Sequence, residues 1–410
     1  MKFLAVVFCS IVALFAHGAN IEVCPSCEIK SLRDALKVSQ PFDVINIKSG
    51  VYIDHAIELT MPLTLIGEKG SVLDGGDQGE ILTLHADSII IKGLTFRNVG
   101  LSYTKDWAGI SSDRVKGCRI ENNTFEKTFF GIYLRKSEDC VVSGNYMDGE
   151  AEQEMTSGNG IHFWYCKNML VENNQVLRHR DGIYFEFVKH SIVKNNLSKN
   201  NVRYGLHFMF SDNDDYLNNT FEDNGSGVAV MYSNFIKMNN NRFIENWGPS
   251  SYGLLLKEIK DGEIKGNEFY RNTTAVFGEG AMRMDISENV FTYNGWAIKL
   301  LSSCMENTVT HNDFISNSFS VFTNASRSYN SFDENFWSEY SGYDLDKDGI
   351  GDIPHLPVSL FTFIVEKCEP ALLLMRSNFI GLLEIAEKAA PAITPEALVD
   401  NKPRMKPLWQ

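Results

Sequence analysis

Residues 205–241 read GLHFMFSDNDDYLNNTFEDNGSGVAVMYSNFIKMNNN, and one unit occurs in them twice. Gly205-Leu206-His207-Phe208-Met209-Phe210-Ser211 is answered 22 residues later by Gly227-Val228-Ala229-Val230-Met231-Tyr232-Ser233. Asn219-Thr220-Phe221 is answered in the same way by Asn241-Arg242-Phe243. Following that Asn in both directions gives a ladder at positions 123, 145, 174, 196, 219, 241, 267, 289, 312 and 335, with steps of 22 to 29 residues. An aliphatic residue or Met stands three places before most rungs: Ile120, Val142, Val171, Val193, Met238, Ile264, Ile286 and Val309. Gly131, Gly160, Gly182, Gly205, Gly227 and Gly253 each open a short apolar run.

A repeat near 22 residues, with short β-rich runs and Asn or Gly at the corners, fits one coil of a parallel β-helix. The leucine-rich repeat has a similar length, but its spaced leucines are missing. The expected fold is therefore all-β, a single-stranded, right-handed parallel β-helix over residues 20–337. Stacking coils at about 4.8 Å lays equivalent side chains over one another, so the corner asparagines should form hydrogen-bonded ladders. Ser31 to Leu36 reads as a short capping helix, followed by strand-like Asp43–Ile47 and Leu63–Ile66. After Trp337 the period stops. An Asp-rich loop and connector is expected over 338–369, with Pro357–Val365 strand-like or extended. A C-terminal helix from Pro370 to Ala389 and an extended tail complete residues 370–410.

Composition narrows the function. The 410 residues carry 52 acidic and 38 basic side chains, a net charge of −14, and no Lys/Arg cluster, which argues against nucleic acid as a partner. Residues 1–19 have the charged start, apolar middle and small-residue end of an export signal, so a periplasmic location is expected. No later apolar run is long enough to span a bilayer. Eight cysteines include Cys9 in that leader and leave an odd number, which makes no disulfide framework. Cys24-Pro25-Ser26-Cys27 stays open as a redox pair, half of a soft-metal site or a local disulfide. Cys118 and Cys140, equivalent in successive coils, should be adjacent buried thiols.

Alternation along each opening strand separates core from surface. The first and third residues after the Gly are apolar throughout and should point inward. The second and fourth should face solvent: Tyr133/Arg135, His162/Trp164, Tyr184/Glu186, His207/Met209, Ala229/Met231 and Leu255/Lys257. Met209 and Met231 lie one coil apart with His207 beside them, a thioether and imidazole set that Cu(I) accepts, and His162 and Glu186 belong to the same outer face. The competing reading is an adaptable partner surface, where Met is favoured. Asp344, Asp346, Asp348 and Asp352 match positions 1, 3, 5 and 9 of a calcium loop, but position 12 is His355 instead of Glu; an acidic turn held by its own Asx hydrogen bonds is the alternative. A polysaccharide-processing lyase, hydrolase or epimerase would also suit the fold, with Glu186 and Asp181 the best carboxylate pair.

Several segments resemble the NosD family, periplasmic accessory proteins of nitrous oxide reductase maturation. They are the two repeats quoted above, Trp247-Gly248-Pro249, Tyr252 to Lys257, Asn294-Gly295-Trp296-Ala297, Tyr343 to Asp352, Pro357 to Phe361, Pro370 to Leu374, Thr394 to Val399 and Pro403 to Pro407. The resemblance implies a non-enzymatic role in assembling the reductase's copper–sulfur centre. It implies an ABC transporter of the NosF ATPase and NosY permease as partner, and the chaperone NosL as copper donor. Membrane association would then run only through the permease. Leu372, Leu373, Leu374, Phe379, Leu382 and Leu383 supply an apolar helix surface suited to dock on it, or to cover the end of the solenoid.

Overall fold

The coils turn corners at residues in the left-handed backbone region, and one set of corners is made by asparagine. The residue before a ladder Asn is itself Asn at positions 122, 173, 195, 218 and 240, with φ between 53° and 57°, where Asn is favoured among non-glycine residues. The computed structural model describes residues 18–102, 104–325, 328–375, 377–390 and 398–408. The expected export signal falls almost wholly outside these residues, as do Thr394 to Ala397 of the tail. Three parallel sheets of 14, 12 and 13 strands run the length of the solenoid. The fold is the expected parallel β-helix.

The interior follows the alternation. Ile132, Leu134, Ile161, Phe163, Ile183, Phe185, Leu206, Phe208, Val228, Val230, Leu254 and Leu256 are all fully buried. On another wall, Phe221, Phe243, Phe269, Phe291, Phe314 and Trp337 form one column with ring centroids 4.2 to 5.5 Å apart. The opening glycines are needed for space: a Cβ on Gly205 would lie 2.7 Å from the carbonyl oxygen of Gly227, and one on Gly227 would lie 2.5 Å from that of Gly253. The ladder asparagines are buried and satisfied. Asn219, for example, donates from its backbone N and Nδ2 to Asn241 Oδ1 at 2.9 and 3.0 Å.

A second ladder was not anticipated. It runs through Asn201, Asn224, Asn246, Asn272, Asn294 and Asn317, and its first rung is His179, whose backbone N donates to Asn201 Oδ1. Burial pushes the His179 imidazole from its ordinary 6.5 down to about 4. The unfolded chain therefore binds a proton that the folded one refuses between those values, and stability falls as pH drops through this window. His179→Asn, which continues the ladder, is expected to remove about 3 kcal/mol of the stability lost between pH 6.5 and 4, read from urea unfolding at both pH values. Equal acid sensitivity in the variant would show that His179 is not the responsible group.

Helix Leu32–Val38 lies near the N-terminal end, with the Ser31 side chain accepting from Asp34 N as its cap. The C-terminal end departs from expectation in two ways. Leu360–Lys367 is a helix instead of an extended segment, because Ser359 caps it and Phe361 and Val365, one turn apart, pack with Phe319 of the last coils. The expected helix from 370 to 389 is broken: Glu369–Leu374 is a 3₁₀ turn begun by Pro370, and Asn378–Ala389 starts again after Ser377 in extended backbone. The tail itself closes the solenoid end. Asp400 replaces Asn as the next rung, accepting from Asn335 N, Asn335 Nδ2 and Trp337 Nε1, and Arg404 pairs with buried Asp313 at 2.6 Å.

Candidate functional site

The 12-stranded sheet carries the outer face, through the neighbouring strands Phe130–Arg135, Ile161–Trp164, Asp181–Glu186, Tyr204–Met209, Ser226–Met231 and Tyr252–Lys257. Their register makes two columns. One reads Tyr133, His162, Tyr184, His207, Ala229, Leu255; the other reads Arg135, Trp164, Glu186, Met209, Met231, Lys257.

The second column is half-buried, so it faces outward as expected. The first corrects the expectation of solvent exposure. Tyr133, His207, Ala229 and Leu255 are buried although none of them joins the interior core. For the rings the cause is mutual covering, since Tyr133, His162, Tyr184 and His207 meet tilted or edge-on at successive centroid distances of 4.4, 4.6 and 4.9 Å, and Tyr204 lies 4.9 Å from His207.

Met209 and Met231 are direct partners across adjacent strands, and Tyr184 OH lies 3.9 Å from the Met209 sulfur. His207 stands two residues before Met209 on the same face. Both of its ring nitrogens are buried without a hydrogen-bond partner, and the nearest charged group, Asp181 Oδ2, is 3.9 Å from Nδ1. An imidazole that touches Asp181 only at ion-pair distance and keeps Nε2 buried without a hydrogen-bond partner, beside two thioethers, suits a soft monovalent cation. His162 does not join this set, because the Tyr184 ring stands between it and His207. Its Nδ1 is 3.3 Å from Asn159 Nδ2, and burial lowers its pKa to about 3, which keeps the ring neutral. Glu186 is the partner of Met209 on the other side, its carboxyl raised by burial and held partly down by His207.

One position beyond the columns lies a feature that the sequence reading stopped short of. Tyr165, Phe187, Phe210 and Tyr232, each five residues after an opening Gly, stack parallel at 4.4, 5.0 and 5.1 Å. All four have φ between 51° and 57°, a conformation that costs bulky side chains about 1–2 kcal/mol each. Ring stacking offsets part of that, roughly 0.5–1.5 kcal/mol per pair. Tyr165, Phe210 and Tyr232 are exposed, so an aromatic stripe borders the methionine pair. Extending the glycine alignment by one residue would have found it.

The carboxylate pair weighed for sugar chemistry is separated. Asp181 and Glu186 are five residues apart on one strand, which at about 3.3 Å per residue places them roughly 16 Å apart, beyond the 5–9.5 Å that glycosidases use. Asp181 is fully buried and held by Arg203, whose Nε donates to Oδ1 at 2.8 Å. Burial alone would raise its pKa, but Arg203 outweighs this and leaves it lowered.

In the acidic loop, carboxylate oxygens of Asp344, Asp346 and Asp348 lie within 4.8 Å of one another. Asp352 is outside that group and accepts from Leu345 N at 2.7 Å. His355, at position 12, pairs through its backbone with Asp400 and packs on Trp337, so it gives the loop no ligand. The three carboxylates also accept from the Lys347, Asp348, Gly349 and Ile350 amides. Cys24 and Cys27 form a disulfide, and Cys118 and Cys140 are buried free thiols. Hydrogen bonding to Cys140, and after it burial, raises the Cys118 thiol.

Of the apolar residues read as a docking surface, Leu373, Leu374, Phe379 and Leu382 are exposed. Leu372 and Leu383 instead pack inward on the cluster of Phe319, Phe361, Val365 and Ala371. Ile385, also exposed, extends the outer edge.

Residues 147–342 match the sequence model of a family described as "Periplasmic copper-binding protein (NosD)". A protein of Pseudomonas aeruginosa named "Probable ABC transporter binding protein NosD" is 30% identical over 380 residues, 88% of each chain. A protein of Stutzerimonas stutzeri with the same name is 29% identical over 368 residues, 85% of this chain and 84% of its own. Among solved structures, the A-module of a mannuronan C-5 epimerase from Azotobacter vinelandii superposes with a TM-score of 0.62 at 14% identity, covering 73% of this chain and 92% of that one. The catalytic domain of an α-1,3-glucanase gives 0.58 at 11% identity, covering 78% and 69%. At such identities the likeness concerns the solenoid alone.

Proposed function

The chain belongs to the NosD family, and from that premise we propose that it is a periplasmic accessory protein that receives copper on the outer face of its β-helix and works with an ABC transporter. The copper is cargo on its way to the copper–sulfur centre of nitrous oxide reductase. The observation that carries the reading is the paired Met209 and Met231 beside the buried imidazole of His207, whose Nε2 has no hydrogen-bond partner. Thioether sulfur and imidazole nitrogen are donors that Cu(I) accepts, and neither is an anion that would hold the ion against transfer. The adjoining stripe of Tyr165, Phe187, Phe210 and Tyr232 gives a copper-donating chaperone of the NosL kind an apolar surface to dock on, with the methionines at its edge.

The transporter contact is assigned to the other end. The exposed edge of Leu373, Leu374, Phe379, Leu382 and Ile385 belongs to a segment anchored on the last coils, so movement of a NosY-type permease driven by a NosF-type ATPase can reach the solenoid as one rigid body. Among the described residues no helix is long and apolar enough to cross a membrane. The test is capture of the mature chain by its permease–ATPase complex in detergent. Leu382→Glu with Ile385→Glu should abolish capture while leaving the melting temperature unchanged, because both side chains are exposed. Undiminished capture would refute this contact. Against an enzyme stand the distance between Asp181 and Glu186 and the commitment of Asp181 to Arg203; a screen for polysaccharide cleavage or epimerisation should give no product.

A further inference from the structure

The N-terminal end holds a second set of soft donors that copper chemistry on the outer face does not use. Strand Asn20–Val23 is the first strand of the 14-stranded sheet, so its outer edge has no neighbouring coil. Glu22 sits on that strand, exposed, and the turn Cys24-Pro25-Ser26-Cys27 follows at once. A Glu22 carboxylate oxygen and the two sulfurs all lie within 4.8 Å of one another, with Cys27 Sγ 3.7 Å from Glu22 Oε1. Cys27 is partly exposed, and Pro25 and Ser26 are exposed. A small reductant can reach the bond from the Cys27 side, Cys24 itself being buried.

We propose that the Cys24–Cys27 disulfide is the oxidised form of a redox-gated metal site, in which two thiolates and the Glu22 carboxylate hold one thiophilic d¹⁰ cation. A dithiol reductant transfers two electrons and two protons to the sulfur–sulfur bond, which breaks to give two protein thiols while the reductant closes to its own disulfide. Binding the cation then releases both thiol protons to solvent. The sulfurs need only separate to roughly 3.8 Å to share an ion at metal–sulfur distances near 2.3 Å. A thiol–disulfide exchange catalyst is the less suitable reading of the same pair. Low thiol pKa values in such catalysts come from an adjacent helix N-terminus or cation. Here the next helix starts only at Leu32 and is capped by its own Ser31, and the nearby cation, Lys48, is paired with carboxylates, Glu68 at 2.7 Å and Glu22 at 3.9 Å.

The test is anaerobic Cu(I) titration of the full mature chain in a Cys368→Ser background, which removes the exposed free thiol, against a chromogenic chelator. Titrations before and after reduction and removal of the reductant are compared. One additional equivalent is expected on reduction, absent from Cys24→Ser/Cys27→Ser and weakened about tenfold in Glu22→Gln. Zn(II) in place of Cu(I) distinguishes the two d¹⁰ ions. Circular dichroism of each form checks that the N-terminal coil stays folded. No change in either metal's stoichiometry on reduction, or an added equivalent that survives loss of both cysteines, overturns the proposal. Because the outer methionine face does not depend on this disulfide, its Cu(I) equivalent should be the same in both redox states, and so the two sites fail independently.

Discussion

Met209→Leu combined with Met231→Leu is expected to remove one Cu(I) equivalent that the oxidised chain otherwise takes up, or to weaken it at least about 100-fold, since even indirect partners of a metal site are worth 10- to 100-fold. The direction follows from donor chemistry. Leu has nearly the volume of Met and no sulfur, and a swap of this kind usually costs less than about 1.5 kcal/mol in stability. The pair is half-buried on the outer face, so the melting temperature should hardly move. His207→Phe should give a smaller loss of affinity, because the thioethers remain, whereas Tyr184→Phe should only shift it slightly by removing the hydroxyl near the Met209 sulfur. Anaerobic competition titration reads all three. Retention of the full equivalent by the double variant would exclude this face as the copper site and leave it as a docking surface.

The second large effect is on stability. Asp400→Ala should destabilise the chain by about 2–5 kcal/mol, because it leaves Asn335 N and Trp337 Nε1 buried without an acceptor, whereas Asn335 Nδ2 keeps Val309 O and Asp333 O, and each such orphan costs about 1–3 kcal/mol with incomplete additivity. The end coil it closes is also a sheet edge, so aggregation should accompany the loss. Asp400→Asn should behave otherwise. It keeps a carbonyl oxygen at the same rung, as in every earlier step of the ladder, and removes a carboxylate whose pKa burial raises. A carboxyl held above its ordinary value costs stability as pH rises through that value, so Asn should match or exceed Asp at neutral pH. Urea unfolding of the three forms decides. An Ala variant within 1 kcal/mol of the parent would show that the tail does not close the solenoid. The same geometry explains why truncation at residue 370 is a poor probe of transporter docking: it removes the cap together with the helix.

Sequence alone determined the solenoid, its coil length, which residues of each strand turn inward, and that Met209, Met231 and His207 share one face. Such features repeat every 22 residues or so and arise from local causes: alternation along a strand, asparagine's tolerance of the left-handed corner, and the space a glycine leaves for the next coil. Tertiary structure decided the rest. His207 is covered because rings from neighbouring coils lie over it, and His162 is excluded from the methionines by the single ring of Tyr184. The break near Ser377 and the helix at Leu360–Lys367 depend on packing against Phe319. Asp400 becomes the last rung only by returning from 65 residues away. No periodicity in the chain encodes contacts of that kind, because their energy comes from surfaces that exist only after the coils have stacked.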